Sequence, residues 1–151
     1  MIHAAYNGHI DIAKTFIEAS ADPNVRTNHN ETMLMWATDQ GKGKIVQILL
    51  DAGADPNAID SEEKTGLMWA ATQKRGRMGG HGIRSYVRGA ATSSVGAIGG
   101  NFLDLDTVRF LLEAGVDLNA QDEIGETALS KASRARYTEI VDILQKAGAT
   151  N

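Results

Sequence analysis

The sequence predicts an all-α solenoid of stacked helix-turn-helix units joined by β-hairpin-like loops. Four segments of similar sequence place Asp22, Asp55, Asp117 and Thr150 at one shared position, with successive spacings of 33, 62 and 33 residues. Apolar residues within each segment follow the helical period, and turn-forming residues come after each segment. One such unit is too small to bury its own apolar face, whereas stacked units bury a continuous core.

The later helix of each unit is predicted from segments such as "KIVQILLDAGADPNA", which begins at Lys44. Its apolar residues fall on one helical face. A glycine in the left-handed conformation closes the last turn without strain at Cβ, and a proline soon afterwards stops the helix. The face contains Ile45, Val46, Leu49 and Leu50, the closing glycines are Gly53, Gly115 and Gly148, and the prolines are Pro23 and Pro56.

The earlier helix of each unit is predicted from "TMLMWATDQG", "TGLMWAATQK" and "TALSKASRAR". Their first residues, Thr32, Thr65 and Thr127, are 33 and 62 residues apart and are suited to cap a helix N-terminus. Small residues recur where helices approach closely, at Ala4, Ala37, Ala70 and Ala132. In the turns between units, Asn30 and Gly125 tolerate a positive φ. The aspartates of the "ADPN" turns are predicted to bond their own backbone.

The 62-residue spacing exceeds the 33-residue period by 29, which indicates an insertion. Alignment of the units places it at residues 75–103, between the two helices of the third unit. Residues 74–103 carry five Lys and Arg and no acid, whereas the rest of the chain has a net charge of −9. We therefore predict a single domain with repeats at about 1–27, 28–60, 61–122 and 123–151.

These units resemble the ankyrin repeat family. The resemblance rests on the 33-residue period, "GADPN" at 53–57, "AAYNGH" at 4–9 and the pairs Thr32/Leu34, Thr65/Leu67 and Thr127/Leu129, and it covers about four-fifths of the chain. The first repeat begins midway through its first helix, and the fourth lacks a closing segment. We therefore expect a fragment of a longer array or a misassigned gene start.

The departures from the family's pattern concern three positions. The family's signature is T-P-L-H-x-A. Its proline is replaced here by Met33, Gly66 and Ala128, and its histidine by Met35, Met68 and Ser130. The hydrogen bonds attributed to that histidine must therefore be absent or replaced. The glycine of the second hairpin is Glu63, which calls the geometry of that turn into question.

No pattern in the chain indicates catalysis, a metal site or a cofactor. The four histidines, His3, His9, His29 and His81, have no partner at a metal-ligand spacing, and no GxSxG elbow is present. "GRMGGHG" lacks the Lys–Ser/Thr ending of a phosphate-binding loop. We expect a protein that is not an enzyme.

Composition restricts the compartment and the partners. A net charge of −4 disfavours nucleic acid for the chain as a whole. No apolar run approaches the roughly 20 residues of a membrane span, and the N-terminus lacks the features of a secretory signal. We expect a monomer, cytoplasmic by default, that does not bind membranes.

The resemblance implies that another protein binds to a concave surface formed by hairpin tips and first helices. A partner with a basic or amphipathic surface is favoured, because the hairpins are acidic. Transferring the family's variable positions by register gives a candidate interface of Tyr6, Asn7, Asn28, His29, Glu31, Trp36, Asp39, Gln40, Ser61, Glu62, Lys64, Trp69, Thr72, Gln73, Glu123, Ile124, Glu126 and Arg134.

Two interpretations within this interface stay open. Trp36 and Trp69 share one repeat position, and they either pack between repeats or anchor a partner, since tryptophan is a common binding hot spot. The alternative function is a regulatory or nucleic-acid-contacting module that acts through the basic insertion. Nucleic acid would then be contacted by Arg75, Arg77, Arg84 and Arg88.

Overall fold

The computed structural model describes residues 10–72 and 105–150, and α-helices account for the regular structure of that part of the chain. The described residues contain no strand, only isolated bridges between Arg26 and Thr32 and between Ile59 and Thr65. The helices are α1 (Ile10–Glu18), α2 (Met33–Asp39), α3 (Gly43–Asp51), α4 (Gly66–Ala71), α5 (Leu105–Glu113), α6 (Ala128–Ala135) and α7 (Thr138–Lys146).

The helices pack as pairs and as two rows. The pairs are α2 with α3, α4 with α5, and α6 with α7. Along the stack, α2, α4 and α6 contact one another in sequence and form the row of first helices. The second row consists of α1, α3, α5 and α7. This arrangement confirms the predicted all-α solenoid.

The core lies between the two rows and is continuous from α1 to the last repeat. Leu49, Leu111 and Leu144 occupy one repeat position in α3, α5 and α7, and all three are fully buried. The small residues Ala37, Ala70 and Ala132 are buried on the first helices, where they permit the predicted close approach. Burial of these side chains holds neighbouring repeats together.

Each first helix within the described residues begins at the predicted threonine cap. The hydroxyls of Thr32, Thr65 and Thr127 accept hydrogen bonds from backbone N–H groups three residues later, at 3.2–3.4 Å. Two of the residues at the family's histidine position complete a capping box, in which the side chain of the later residue bonds back to the N–H of the cap. Met35 Sδ accepts from the Thr32 N–H at 3.4 Å, and Ser130 Oγ accepts from the Thr127 N–H at 2.9 Å. The histidine's bonds are therefore replaced in these two repeats. At α4, the threonine supplies the cap without a full box.

The turns after the second helices have the predicted geometry. Gly53, Gly115 and Gly148 have φ values of 89°, 77° and 95°, and Ser20 takes the corresponding position after α1 with φ 60°. The aspartates of the "ADPN" turns and of the equivalent turn at Asp117 accept bonds from backbone N–H groups two residues later. These bonds join Asp22 to Asn24, Asp55 to Asn57, and Asp117 to Asn119, at 2.8–2.9 Å.

Asparagine side chains link each of these turns to the next one along the stack. Asn24 Oδ1 accepts from the backbone N–H of Asp55 at 2.8 Å, and Asn57 Oδ1 accepts from that of Asp117 at 2.7 Å. The final link runs from the Thr150 N–H to Asn119 Oδ1 at 2.8 Å. The bond across the third repeat is thus as short as those in repeats without an insertion.

The helices on either side of the predicted insertion pack against each other as one pair. Residues 72–104 separate α4 from α5, whereas residues 40–42 separate α2 from α3, and residues 136–137 separate α6 from α7. The predicted insertion at 75–103 lies outside the described residues. Its flanking helices nevertheless keep the pairing seen in the other repeats.

Removing residues 75–103 should leave the stack folded and raise the free energy of unfolding by up to about 2 kcal/mol, because the loop to be closed shortens by about three doublings. The deletion joins Lys74 to Asp104 and leaves four residues between α4 and α5. Urea unfolding monitored by circular dichroism checks this result. A loss of more than about 1 kcal/mol would contradict it.

The second hairpin keeps the geometry of its neighbours although Glu63 replaces the family's glycine. Glu63 has φ 59°, close to Asn30 at 58° in the first hairpin and to Gly125 at 78° in the third. The Glu63 N–H donates to the carbonyl of Asp60 at 3.2 Å, as the Gly125 N–H does to that of Asp122 at 2.8 Å. The turn is therefore formed at the cost of a left-handed glutamate.

We expect Glu63→Gly to raise the free energy of unfolding by about 0.5–1 kcal/mol, since relief of the left-handed strain exceeds the added freedom of the unfolded chain. Thermal and urea unfolding measure the change. Glu62→Gly, one residue earlier, is the control and should not stabilise the protein. Equal effects of the two substitutions would contradict the strain argument.

Candidate functional site

Each hairpin is organised by the side chain of its first residue. Thr27 Oγ1 accepts from the N–H groups of His29 and Glu31, both at 3.2 Å. Asp60 Oδ1 and Asp122 Oδ1 occupy the same repeat position and make the equivalent bonds, at 2.8–3.2 Å. This position therefore fixes the loop that presents the hairpin tip.

Neighbouring hairpins are joined through their backbones. The Ser61 N–H donates to the carbonyl of His29 at 2.9 Å, and the Glu123 N–H donates to that of Glu62 at 3.2 Å. The three hairpins therefore form one continuous edge beside the first helices.

A groove of about 740 Å³ runs along this edge, between the hairpins and the first helices α2, α4 and α6. None of the second helices contributes to its lining within the described residues. The structure brings thirteen of the predicted interface residues together there: His29, Glu31, Asp39, Gln40, Ser61, Glu62, Lys64, Trp69, Thr72, Glu123, Ile124, Glu126 and Arg134.

The other predicted interface residues fall elsewhere. Asn28 is exposed at the first hairpin but is not part of the groove lining, and Trp36 is half-buried beside it. Tyr6, Asn7 and Gln73 lie outside the described residues, as do Arg75, Arg77, Arg84 and Arg88 of the basic insertion.

Three lining residues were missed by the sequence analysis, namely Asp60, Asp122 and Lys131. The signal that could have found them is a spacing of nine residues. Asp60 and Trp69 are nine apart, as are Asp122 and Lys131, and in both pairs the later side chain donates to the aspartate or ion-pairs with it. Lys131 thus takes the repeat position that tryptophan holds in the two preceding units.

The two tryptophans contact each other across adjacent repeats. Their ring centroids are 5.7 Å apart, and the ring planes are inclined by 59°. Trp69 Nε1 donates to Asp60 Oδ2 at 2.9 Å, which fixes the orientation of its ring. The contact supports the packing interpretation for Trp36, whereas Trp69 both packs and lines the groove.

Lys131 is the centre of a charge network that joins α6 to the third hairpin. Its side chain is 3% exposed, and Nζ ion-pairs with Asp122, which is 1% exposed, and lies 2.9 Å from Glu126 Oε2. Arg134 pairs with the other oxygen of Glu126. The network therefore balances two carboxylates against two cations on the groove floor.

The network shifts the ionisation of its members. Burial raises the pKa of Asp122, but bonds from Lys131 and the backbone N–H of Glu126 outweigh it, so the pKa lies below the ordinary 3.8. The hydrogen bond from Lys131 also lowers the pKa of Glu126. Burial lowers the pKa of Lys131, but its bonds to the two carboxylates outweigh that effect and raise it above the ordinary 10.5.

The described residues form no cluster of three or more side chains suited to hold a metal ion. Within the same residues, no helix is both long and apolar enough to cross a membrane. The site is an open surface groove of polar, charged and aromatic side chains.

Comparisons with known proteins agree with the repeat architecture. A family model described as ankyrin repeats (3 copies) matches residues 1–78, and one described as ankyrin repeats (many copies) matches residues 103–145. A search of curated proteins gave no significant match. From the two matches and the paired helical stack, the chain belongs to the ankyrin repeat family.

Proposed function

We propose that the chain is a non-enzymatic scaffold that binds a partner protein through the groove between its hairpins and first helices. Ankyrin repeats are generally protein-interaction modules, and proteins built from them are typically not enzymes. The observation that supports this particular face is the convergence of thirteen predicted interface residues on one groove.

The groove has the mixture of side chains that protein interfaces use. Trp69 offers a large aromatic surface held in place by Asp60, and Ile124 is 68% exposed at the third hairpin. Aromatic and aliphatic anchors surrounded by polar groups are typical of binding hot spots. The hairpin backbones are hydrogen-bonded to one another, so partner binding requires little ordering of the loops.

The proposal is tested by capturing partners from a cell extract with four forms of the full chain. Trp69→Ala and Ile124→Ala remove groove side chains, whereas Gln145→Ala removes an exposed side chain of α7 in the second row. A direct partner should be retained by wild type and by Gln145→Ala, and its affinity should fall by about tenfold or more for the groove variants. Circular dichroism checks that all four forms keep their helicity.

A purified partner is then measured against each variant by calorimetry. Equal affinity for the groove variants and for Gln145→Ala, with the fold intact, would overturn the proposed binding face.

A further inference from the structure

The charges that line the groove are not balanced. Seven acidic and three basic side chains give the lining a formal net charge of −4. Each of the three cations is already engaged: Lys64 with Glu62, Lys131 with Asp122 and Glu126, and Arg134 with Glu126. Asp122 and Glu126 are therefore compensated from within, whereas Glu123 at the third hairpin has no ion pair among the described residues.

The opposite end of the groove carries negative charge without a cation. Glu31 accepts a bond from the Thr27 hydroxyl at 3.0 Å, and Asp39 accepts one from the Gln40 amide at 2.7 Å. Asp60 accepts from the indole of Trp69 at 2.9 Å. None of these three acids has an ion pair within residues 10–72 and 105–150. Neutral donors satisfy part of their hydrogen bonding and leave their charge in place.

An aromatic side chain lies at the same end of the groove. Trp69 is half-buried, and its ring is fixed between the contact with Trp36 and the bond to Asp60. Tryptophan attracts cations to its face more strongly than other aromatic residues do. Carboxylates and an indole together favour a positively charged organic group, and a guanidinium in particular, because it bonds carboxylates and stacks on rings.

We propose that this end of the groove docks a positively charged segment of the partner protein, with its arginine or lysine side chains facing Trp69 and the carboxylates of Glu31 and Asp39. The inference rests on the proposed function and specifies the chemistry of the partner. The end of the groove at the third hairpin, where Ile124 is exposed, accepts an apolar side chain of the same segment. Nucleic acid does not fit, because its phosphates would meet the uncompensated acids.

The probe for this proposal is a fluorescein-labelled peptide of twelve residues, with three arginines spaced by glycine and serine. A matched peptide with glutamate in place of arginine is the negative control. Binding to the full chain is measured by fluorescence anisotropy at about 20 mM and about 150 mM salt, since surface charge attraction weakens as the Debye length falls. Wild type should bind the arginine peptide at least tenfold more tightly than the glutamate peptide at low salt.

Two double variants locate the binding. Glu31→Gln with Asp39→Asn removes two charges from the groove, and Asp51→Asn with Glu113→Gln removes two from the exposed ends of α3 and α5. Both raise the net charge by two. The groove pair should weaken arginine-peptide binding by about fivefold to tenfold, and the helix-end pair by less than twofold.

An independent readout comes from the indole N–H signal of Trp69 in the NMR spectrum, assigned with the Trp36→Phe variant. The signal should shift on addition of the arginine peptide and not with the glutamate peptide. Equal weakening by the two double variants, or no preference for arginine, would overturn the proposed docking. A captured partner that still depends on Trp69 and Ile124 would in that case leave the proposed function intact.

Discussion

Replacing Lys131 with methionine should lower the free energy of unfolding by about 3–5 kcal/mol at pH 7. The substitution keeps an unbranched side chain of similar length but leaves Asp122, which is 1% exposed, without its cation. An uncompensated buried carboxylate is among the costliest single defects in a folded protein. Urea denaturation followed by circular dichroism measures the loss.

The control for this substitution is Lys64→Met in the preceding hairpin. Lys64 pairs with Glu62, but the two side chains are 31% and 56% exposed, so solvent already screens the pair. We expect a loss of less than about 1 kcal/mol there. Comparable losses at the two lysines would show that the buried network has no special role in stability.

The pH dependence of the wild-type protein follows from the same network. The folded-state pKa values of Asp122 and Glu126 are lowered. The stability that these carboxylates contribute is therefore present above the unfolded-state pKa values of 3.8 and 4.5, and it is lost as the pH falls through the folded-state pKa values. The folded-state pKa of Lys131 is raised above the unfolded-state value of 10.5. The stability that Lys131 contributes is therefore present below pH 10.5, and it is lost as the pH rises through the folded-state pKa. Stability from the network is therefore full between about pH 5 and pH 10.

In Lys131→Met, burial without a cation should raise the pKa of Asp122. The variant then binds a proton in the folded state, so the stability gap between it and wild type narrows as the pH falls towards 4. Denaturation curves at pH 7 and at pH 4.5 test this narrowing. A gap that stays constant over this range would contradict the assigned role of Asp122.

Leu111→Ala should lower the free energy of unfolding by about 3–5 kcal/mol, because Leu111 is fully buried between the helix rows and its removal leaves a cavity. The chain provides a matched position for comparison, since Phe16 occupies the same place in α1 and is 38% exposed. Although phenylalanine is the larger residue, Phe16→Ala should cost less than about 2 kcal/mol, because surrounding water fills the space.

Chemical denaturation of the two alanine variants measures both losses under one set of conditions. A larger loss of stability for Phe16→Ala than for Leu111→Ala would mean that burial does not determine how much a side chain at this repeat position contributes to the free energy of unfolding.

The sequence predicted the features that depend on local spacing. The threonine caps, the left-handed glycines and the aspartate bonds of the "ADPN" turns each involve residues two to four apart, so period and residue type were sufficient to predict them. Thirteen residues placed by register in the candidate interface line the groove, since each occupies a fixed position on a regular stack. The role of those residues in binding stays a prediction.

Features that depend on tertiary contacts could not be predicted from the sequence. The charge network of Lys131 depends on a side chain that crosses from α6 to the hairpin, and a lysine in a surface-like sequence gives no local sign of being buried. The doubt about Glu63 came from propensity alone, whereas the bonds of the Asp60 side chain and backbone hold that turn in its left-handed form. In both places an aspartate at the first hairpin position determines the outcome.

The asparagine bonds between successive turns have a consequence for the evolution of the protein. Asn57 reaches Asp117 at 2.7 Å, as Asn24 reaches Asp55 at 2.8 Å, although the sequence distance is 60 residues in one case and 31 in the other. The translation from one unit to the next is therefore set on the hairpin side of the stack and does not depend on the length of the connection between α4 and α5. That connection is a natural graft point, at which evolution or an engineer can add a new sequence without altering the spacing of the recognition surface.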